Sequence, residues 1–351
     1  MDNVNLNEII TDSQTIIRRH VVRDGFVFTR IGEPVNVFDT LVVRTEPLAG
    51  PEAHRLTESD GLGSSGRSLE EHIALINQEK IEKIYICGTN IDFIKYCPSL
   101  KYFKVIPSSS ASSSFDYSPL YEMPTVKFLF CLTAYGPPGE LLSTTVDCTR
   151  LHGLEYLRVQ KNGFKNFSQI ATLKTLEISQ QSDKDLTTIF SSPVLDSLGI
   201  TQCSLKSLNG LGQAEKMQCL HLYYNRSLQD ISALRDVKDS IKELYIENCP
   251  KIEDFSVLYE LTNLERLELI GSNSLPSLDF IRSMKKLSYF KFSMNVLNGD
   301  LSPCMNLHWA ASWINRKHYN LRDAQLPKKT PKPEEGLPAN GNIEGWRRLF
   351  S

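Results

Sequence analysis

Residues 217–225, with the sequence MQCLHLYYN, decide the fold, because their pattern L-x-x-L-x-L-x-x-N recurs throughout the second half of the chain. Seven copies start at intervals of 19, 22, 22, 24, 23 and 23 residues, at Leu154, Leu173, Leu195, Met217, Ile241, Leu264 and Leu287. Apolar and polar residues alternate within each copy, which indicates a short strand with one buried face. A unit of this length cannot close its own core, so we expect the copies to stack into a solenoid.

A small polar or thiol side chain closes each copy of the pattern. It stands three residues past the last apolar position, at Asn162, Gln181, Cys203, Asn225, Cys249, Ser272 and Asn295. This position faces inwards in a stacked coil, where a polar group is tolerated only when it is paired. We therefore expect these side chains to bond backbone groups of the neighbouring coil. Apolar residues spaced three apart in the second half of each copy predict 3₁₀ or short α turns.

The segments LQDISAL at 228–234 and IEDFSVL at 252–258 add a second shared motif. With them, the chain from Leu154 to about Leu307 resembles bacterial leucine-rich repeat proteins of the internalin type, with roughly 22-residue units. The resemblance implies an α/β fold, a leucine-rich repeat horseshoe whose concave side is a parallel sheet. It also implies a surface that binds another protein.

Three regions are predicted from the pattern. Residues 81–307 form a solenoid of about ten coils, the first three of them irregular. Residues 1–80 form an N-terminal cap with strands between Gly25 and Thr45 and one helix from Ser68 to about Gln78, since an end coil must hide its apolar face.

Residues 308–351 are predicted to form a C-terminal cap and a Pro-rich tail. The spacing of Trp309, Trp313, Ile314 and Tyr319 is helix-like. The apolar tail at 343–350 either folds back on the body or docks on another molecule, and folding back is favoured because exposed Trp and Phe are costly.

Composition and charge argue against several classes of partner and site. A net charge of −2 gives no reason to expect nucleic acid or an anionic membrane. The polar, acidic N-terminus is not expected to act as a secretory signal, and the longest apolar runs are too short to span a bilayer. None of the eight cysteines forms a C-x-x-C pair, which argues against zinc and redox motifs. We expect buried thiols in a reduced, cytoplasmic protein without cofactor.

Motifs for catalysis are weak. The glycine-rich loop GLGSSG at 61–66 lacks the preceding strand that a dinucleotide site needs, and the seven histidines make no ligand pairs. Cys219 and His221 share one face of one strand, at a separation near 7 Å from the strand rise. That is too far for a thiol–imidazole bond, so the sequence predicts no enzyme.

The concave face is the favoured binding surface. Its side chains alternate with the buried leucines and include tyrosine and arginine, which are enriched in binding hot spots, although tyrosine also favours strands in general. The candidate partner-binding residues are Tyr156, Arg158, Glu177, His221, Tyr223, Tyr245, Glu247, Arg266, Glu268, Tyr289 and Lys291.

These patterns predict a non-catalytic, monomeric module that binds a protein partner. The resemblance narrows this prediction to a bacterial immunity or adaptor protein. Two alternatives stay open: an enzyme with active groups in residues 1–78 or in the irregular coils, and a bacterial effector delivered into a host.

Overall fold

The computed structural model describes residues 20–23, 26–32, 37–44, 69–88, 90–107, 115–131, 146–160, 164–189 and 192–329. The chain divides into a first unit, Met1–Val159, Gly163–Lys165 and Pro338–Ser351, and a second unit, Gln160–Asn162 and Asn166–Leu337. The predictions made for Ser68, the loop at 61–66 and the tail at 343–350 lie outside the described residues. The region boundaries predicted at 80 and 307 stay predictions.

The first unit begins with an antiparallel meander of β1 (His20–Arg23), β2 (Phe26–Gly32) and β3 (Val37–Arg44). Helix α1 (Leu69–Gln78) follows and buries His72 and Ile76. A parallel ladder then runs from β3 through β4 (Lys83–Gly88), β5 (Tyr102–Pro107), β6 (Phe128–Cys131) and β8 (Tyr156–Gln160). A two-residue pair joins β7 (Val146–Asp147) to β9 (Phe164–Lys165). Strands β2 and β3 lie within the range predicted for strands, whereas β1 lies before it. Helix α1 and the strands β4, β5 and β6 lie where a helix and three irregular coils were predicted.

The second unit is built on seven parallel strands, one from each coil. They are β10 (Thr175–Ser179), β11 (Ser197–Thr201), β12 (Cys219–Tyr223), β13 (Glu243–Glu247), β14 (Arg266–Ile270), β16 (Tyr289–Phe292) and β18 (Trp309–Ser312). A small parallel pair, β15 (Ser274–Leu275) with β17 (Asn295–Val296), lies outside this sheet.

The strand register stacks the repeat leucines. Leu220 pairs with Leu244, and Leu244 pairs with Leu267 on the next strand. All three side chains are buried. The predicted repeat register is confirmed, because a shift by one residue would place these leucines on the opposite face.

The inner polar ladder is confirmed at Asn225 and Cys249. Asn162 lies outside the described residues, and Asn295 is the register partner of Ser274 rather than of the inner Asn273. Asn225 and Cys249 occupy equivalent buried turn positions and bond the preceding coil. The prediction of Ser272 is wrong: Ser272 is exposed, and the buried Asn273 donates to the carbonyls of Cys249 at 3.1 Å and Ile252 at 2.8 Å. Gly271, at φ +150°, precedes this turn and moves the inner position one residue further along the chain.

Short 3₁₀ helices lie between the strands, as the spacing of three predicted, and one more follows β18. They span Asp92–Tyr96, Ser118–Glu122, Cys148–Arg150, Phe167–Gln169, Leu211–Gln213, Ser232–Val237, Ser256–Glu260, Asp279–Ser283, Ser302–Asn306 and Asp323–Gln325. The D-x-S motif starts four of them, with its aspartate at Asp116, Asp230, Asp254 and Asp300. The carboxylates of Asp230 and Asp254 each accept a backbone N–H bond of 2.8 Å from the serine two residues on. Hydrogen bonds from the hydroxyl and the N–H of Ser232 lower the pKa of Asp230, and those from the N–H and the hydroxyl of Ser256 lower the pKa of Asp254.

The helix predicted around Trp309 is wrong. Trp309 begins strand β18 and pairs in register with Tyr289 of β16, so the parallel ladder continues by one more coil. Further along, buried Tyr319 bonds the turn that follows β16: its hydroxyl accepts the N–H of Val296 at 3.1 Å and donates to the carbonyl of Met294 at 3.3 Å. The small residues of WAAS hide the strand pattern, because alanine and serine stand where leucines stand elsewhere.

Candidate partner-binding face

The candidate residues alternate with the buried leucines of their strands, as a period of two requires. The structure places Tyr156 and Arg158 in the first unit and the other nine in the second unit. In the first unit, the ring of Tyr156 stacks on Phe128 with centroids 4.0 Å apart. Glu177 is buried on β10. The other eight candidates fall into an aromatic group and a charged group on neighbouring strands of the second unit.

The aromatic group comes from β12 and β13. His221 Nδ1 lies 3.0 Å from the hydroxyl of Tyr223. The ring centroids of Tyr223 and Tyr245 are 4.9 Å apart, and those of His221 and Tyr245 are 5.7 Å apart. The Tyr245 hydroxyl donates a hydrogen bond to the carboxylate of Glu247. These contacts fix the orientation of each ring.

The charged group comes from β14 and β16. The carboxylate of Glu268 accepts a bond of 2.6 Å from the Arg266 guanidinium, and its second oxygen lies 3.5 Å from Lys291 Nζ. Arg266 also lies 4.2 Å from the centroid of the Tyr289 ring. Glu268 is fully buried and held between two cations, which offsets the cost of removing its charge from water.

Two tryptophans extend this group, and sequence reasoning missed their role. Trp309 stacks on Tyr289 with centroids 4.5 Å apart and planes 6° apart. Lys291 Nζ lies 4.3 Å from the centroid of the Trp313 ring. The spacing Leu307-x-x-Ala310-x-Ser312 was the available signal, since it repeats the register with small residues. The aromatic strip comprises Tyr223, Tyr245, Tyr289, Trp309 and Trp313.

Most of the aromatic candidates are buried, whereas the strand pattern predicts that they are exposed on this face. Tyr223, Tyr245, Tyr289 and His221 are all buried. Strands about 4.8 Å apart bring neighbouring rings into contact, so each covers part of the next. Trp313 differs, because 60% of its surface is exposed.

Cys219 and His221 are closer than the predicted 7 Å. The ligand atoms of Cys219, His221 and Glu243 all lie within 4.8 Å of one another. Glu243 comes from β13, where it is the register partner of Cys219. The estimate along one strand therefore missed two things: the convergence of the side chains and the carboxylate from the neighbouring strand. Imidazole, thiolate and carboxylate are all metal ligands.

The thiols are buried wherever the structure describes a cysteine side chain. They are free at Cys97, Cys131, Cys148, Cys203, Cys219, Cys249 and Cys304. Burial disfavours the thiolate, raising the pKa of Cys249 to about 11 and that of Cys148 to about 12. Such thiols are poor nucleophiles near neutral pH.

No helix among the described residues is long and apolar enough to cross a membrane.

The repeat period, the parallel register and the inner ladder together define a leucine-rich repeat solenoid of the α/β class.

No protein-family model and no curated protein matches the chain. The chain is similar to the crystal structure of an internalin from Listeria monocytogenes, with 17% identity, a TM-score of 0.45, and coverage of 88% of this chain and 97% of the other. A leucine-rich repeat protein of Leptospira interrogans has 15% identity and a TM-score of 0.45, covering 67% and 59%. The domain of a second Listeria monocytogenes internalin, which includes a cysteine ladder, has 13% identity and a TM-score of 0.38, covering 61% and 53%.

Proposed function

We propose that this chain is a non-catalytic module that binds a protein partner through the aromatic strip of its second unit. The exposure of Trp313 carries the proposal. A large ring with 60% of its surface exposed lies against Lys291, which is tied through Glu268 to Arg266. Tryptophan and arginine are the side chains most enriched in binding hot spots.

The buried part of the strip supports this role by rigidity. Tyr289 is held between the Arg266 guanidinium and the Trp309 ring. A partner that docks on Trp313 therefore meets a surface whose side chains are already ordered. Ordering them before binding reduces the entropy cost of association.

The cellular role is a second part of the proposal. Buried free thiols fit a reducing compartment, so we place the protein in the cytoplasm, as a monomeric immunity or adaptor protein of a bacterium. Its partner would be a protein with an apolar or acidic patch that complements Trp313 and Lys291.

The test starts from affinity capture with the full chain as bait, after which the captured partner is purified and titrated by calorimetry. Trp313→Ala is expected to weaken binding by about 2 kcal/mol or more, as a hot-spot residue does. Tyr259→Ala is the matched control, because Tyr259 is 50% exposed but lies on the 3₁₀ helix Ser256–Glu260. Equal affinities of the two variants would show that the partner binds elsewhere.

A further inference from the structure

Three buried or half-buried donor groups meet on strands β12 and β13. Cys219 and His221 lie two residues apart and so face the same side of β12. Glu243 is the register partner of Cys219, and the ligand atoms of all three residues lie within 4.8 Å of one another. From this geometry we propose that Cys219, His221 and Glu243 form a binding site for a divalent transition-metal ion of the zinc class. This proposal does not depend on partner binding.

The distances suit a tetrahedral ion. With bonds of about 2.0–2.3 Å to zinc, ligand atoms lie about 3.3–3.8 Å apart, so a pair of ligand atoms has to close by at most roughly 1–1.5 Å. Rotation of the side chains supplies that movement without a shift of the strands. Gly199, which has no side chain, is the register partner of His221 on β11 and adds no bulk beside the imidazole.

The surroundings orient the imidazole for coordination. His221 Nδ1 lies 3.0 Å from the hydroxyl of Tyr223. When Nδ1 donates its proton to that oxygen, the lone pair of the ring is on Nε2, the nitrogen that would bind the metal. Tyr223 is thus a positioning residue that fixes the tautomer and the rotation of the ring.

The charges favour a cation. In the metal-free protein the Cys219 thiol donates to the Glu243 carboxylate, and burial raises the pKa of both groups. Among the described residues, Arg266 is the cation that acts on both groups, and it is paired with Glu268 at 2.6 Å. The acidic groups that act on Cys219 or Glu243 are Asp196, Glu265 and Glu268. Metal binding would replace the thiol proton, which leaves for solvent as the sulfur–metal bond forms, so affinity rises with pH.

Three protein ligands leave one tetrahedral position for water or for a group from another molecule. This arrangement is that of an open zinc site rather than a closed structural one. Cys249, a buried thiol on the inner ladder of the next coil, lies outside the cluster. It provides a matched control of the same residue type.

The experiment titrates the purified, chelator-treated full chain with Co²⁺ and follows the thiolate-to-cobalt charge-transfer band. We expect one Co²⁺ per chain, displaced by Zn²⁺, with the band lost in Cys219→Ala and kept in Cys249→Ala. Tyr223→Phe should weaken Co²⁺ binding about 10- to 100-fold, as loss of a ligand-orienting group does. Metal content by atomic emission gives the stoichiometry.

The absence of a band in the wild-type chain at excess Co²⁺ would overturn the proposal. So would a band that survives Cys219→Ala. If Cys219→Ala does not fold by circular dichroism, the half-buried Glu243→Gln decides the question. It should retain the fold but weaken Co²⁺ binding and shift the visible bands, and an unchanged spectrum and affinity would overturn the site.

Discussion

The side-chain oxygen of Asn225 accepts a 2.9 Å hydrogen bond from the backbone N–H of Cys203, 22 residues earlier in the chain. The amide nitrogen of the same side chain donates to the carbonyl of Ile200, also at 2.9 Å. One buried side chain therefore satisfies a donor and an acceptor of the preceding coil. Backbone groups that face inwards in this turn have no water to bind, so the side chain takes its place.

Asn225→Ala is expected to destabilise the protein by about 2–4 kcal/mol, because it leaves two buried backbone groups without partners. The urea unfolding midpoint measures the change. Asn209→Ala, at an exposed position of the preceding coil, serves as the control and should stay within about 0.5 kcal/mol of the wild type. Equal losses in the two variants would contradict the ladder.

Tyr245→Ala is expected to cost about 3–5 kcal/mol, the range for removing a large buried ring. Tyr245 is buried against Tyr223 and His221, so the change opens a cavity. Tyr259→Ala, with half of its side chain already exposed, should cost about 1 kcal/mol or less. Thermal unfolding of both variants checks this, and similar midpoints would show that Tyr245 is not in the core.

Arg266→Met is expected to cost about 3–5 kcal/mol, since it removes the closest cation from the buried carboxylate of Glu268. The double variant Arg266→Met/Glu268→Leu should recover part of that loss, because neither position then carries a buried charge and Lys291 can turn to solvent. Chemical unfolding of the wild type, the single and the double variant measures the coupling. A double variant less stable than the single one would contradict the expectation.

Alkaline pH should weaken the fold through its buried thiols. Burial raises the pKa of Cys249 from 9.0 to about 11, so the folded chain keeps a proton that the unfolded chain loses. A raised folded-state pKa gives stability that is present below pH 9 and is lost as pH rises towards 11. Cys249→Ala should therefore lose less stability than the wild type over this window. Parallel pH profiles of the urea midpoint would show that Cys249 does not contribute.

The periodic features were predictable from the sequence, because each follows from a spacing. The register at Leu220, Leu244 and Leu267 and the inner positions of Asn225 and Cys249 recur at nearly constant intervals. Because the coils stack, a residue at a given position of the repeat occupies the same environment in every coil. The prediction of Ser272 was wrong because Gly271 moves the inner position one residue further along the chain. The helix predicted at Trp309 was wrong because alanine and serine replace the leucines that mark a strand elsewhere.

The candidate site was less predictable, since its geometry depends on contacts between coils. Alternation places Tyr223 and Tyr245 on one face, but it does not reveal that their rings pack together and become buried. The approach of Glu243 to Cys219 depends on the register between two strands 24 residues apart in sequence. Partner binding by these residues stays a prediction, which the Trp313 and Tyr259 variants test.

The left-handed turns that follow strands β10, β11, β12 and β13 mean that one coil is not stable without the next. Gln180, Gln202, Tyr224 and Asn248 all have φ between 52° and 56°, a left-handed conformation that costs non-glycine residues about 1 kcal/mol or more. Each of their N–H groups donates to a carbonyl of the following coil, at Thr201, Tyr223, Glu247 and Ile270. A peptide containing one coil would keep the strain and lose the bond that compensates for it. The left-handed turn is therefore stabilised only where two coils are paired. During synthesis, each of these turns can form only after the next strand has been made.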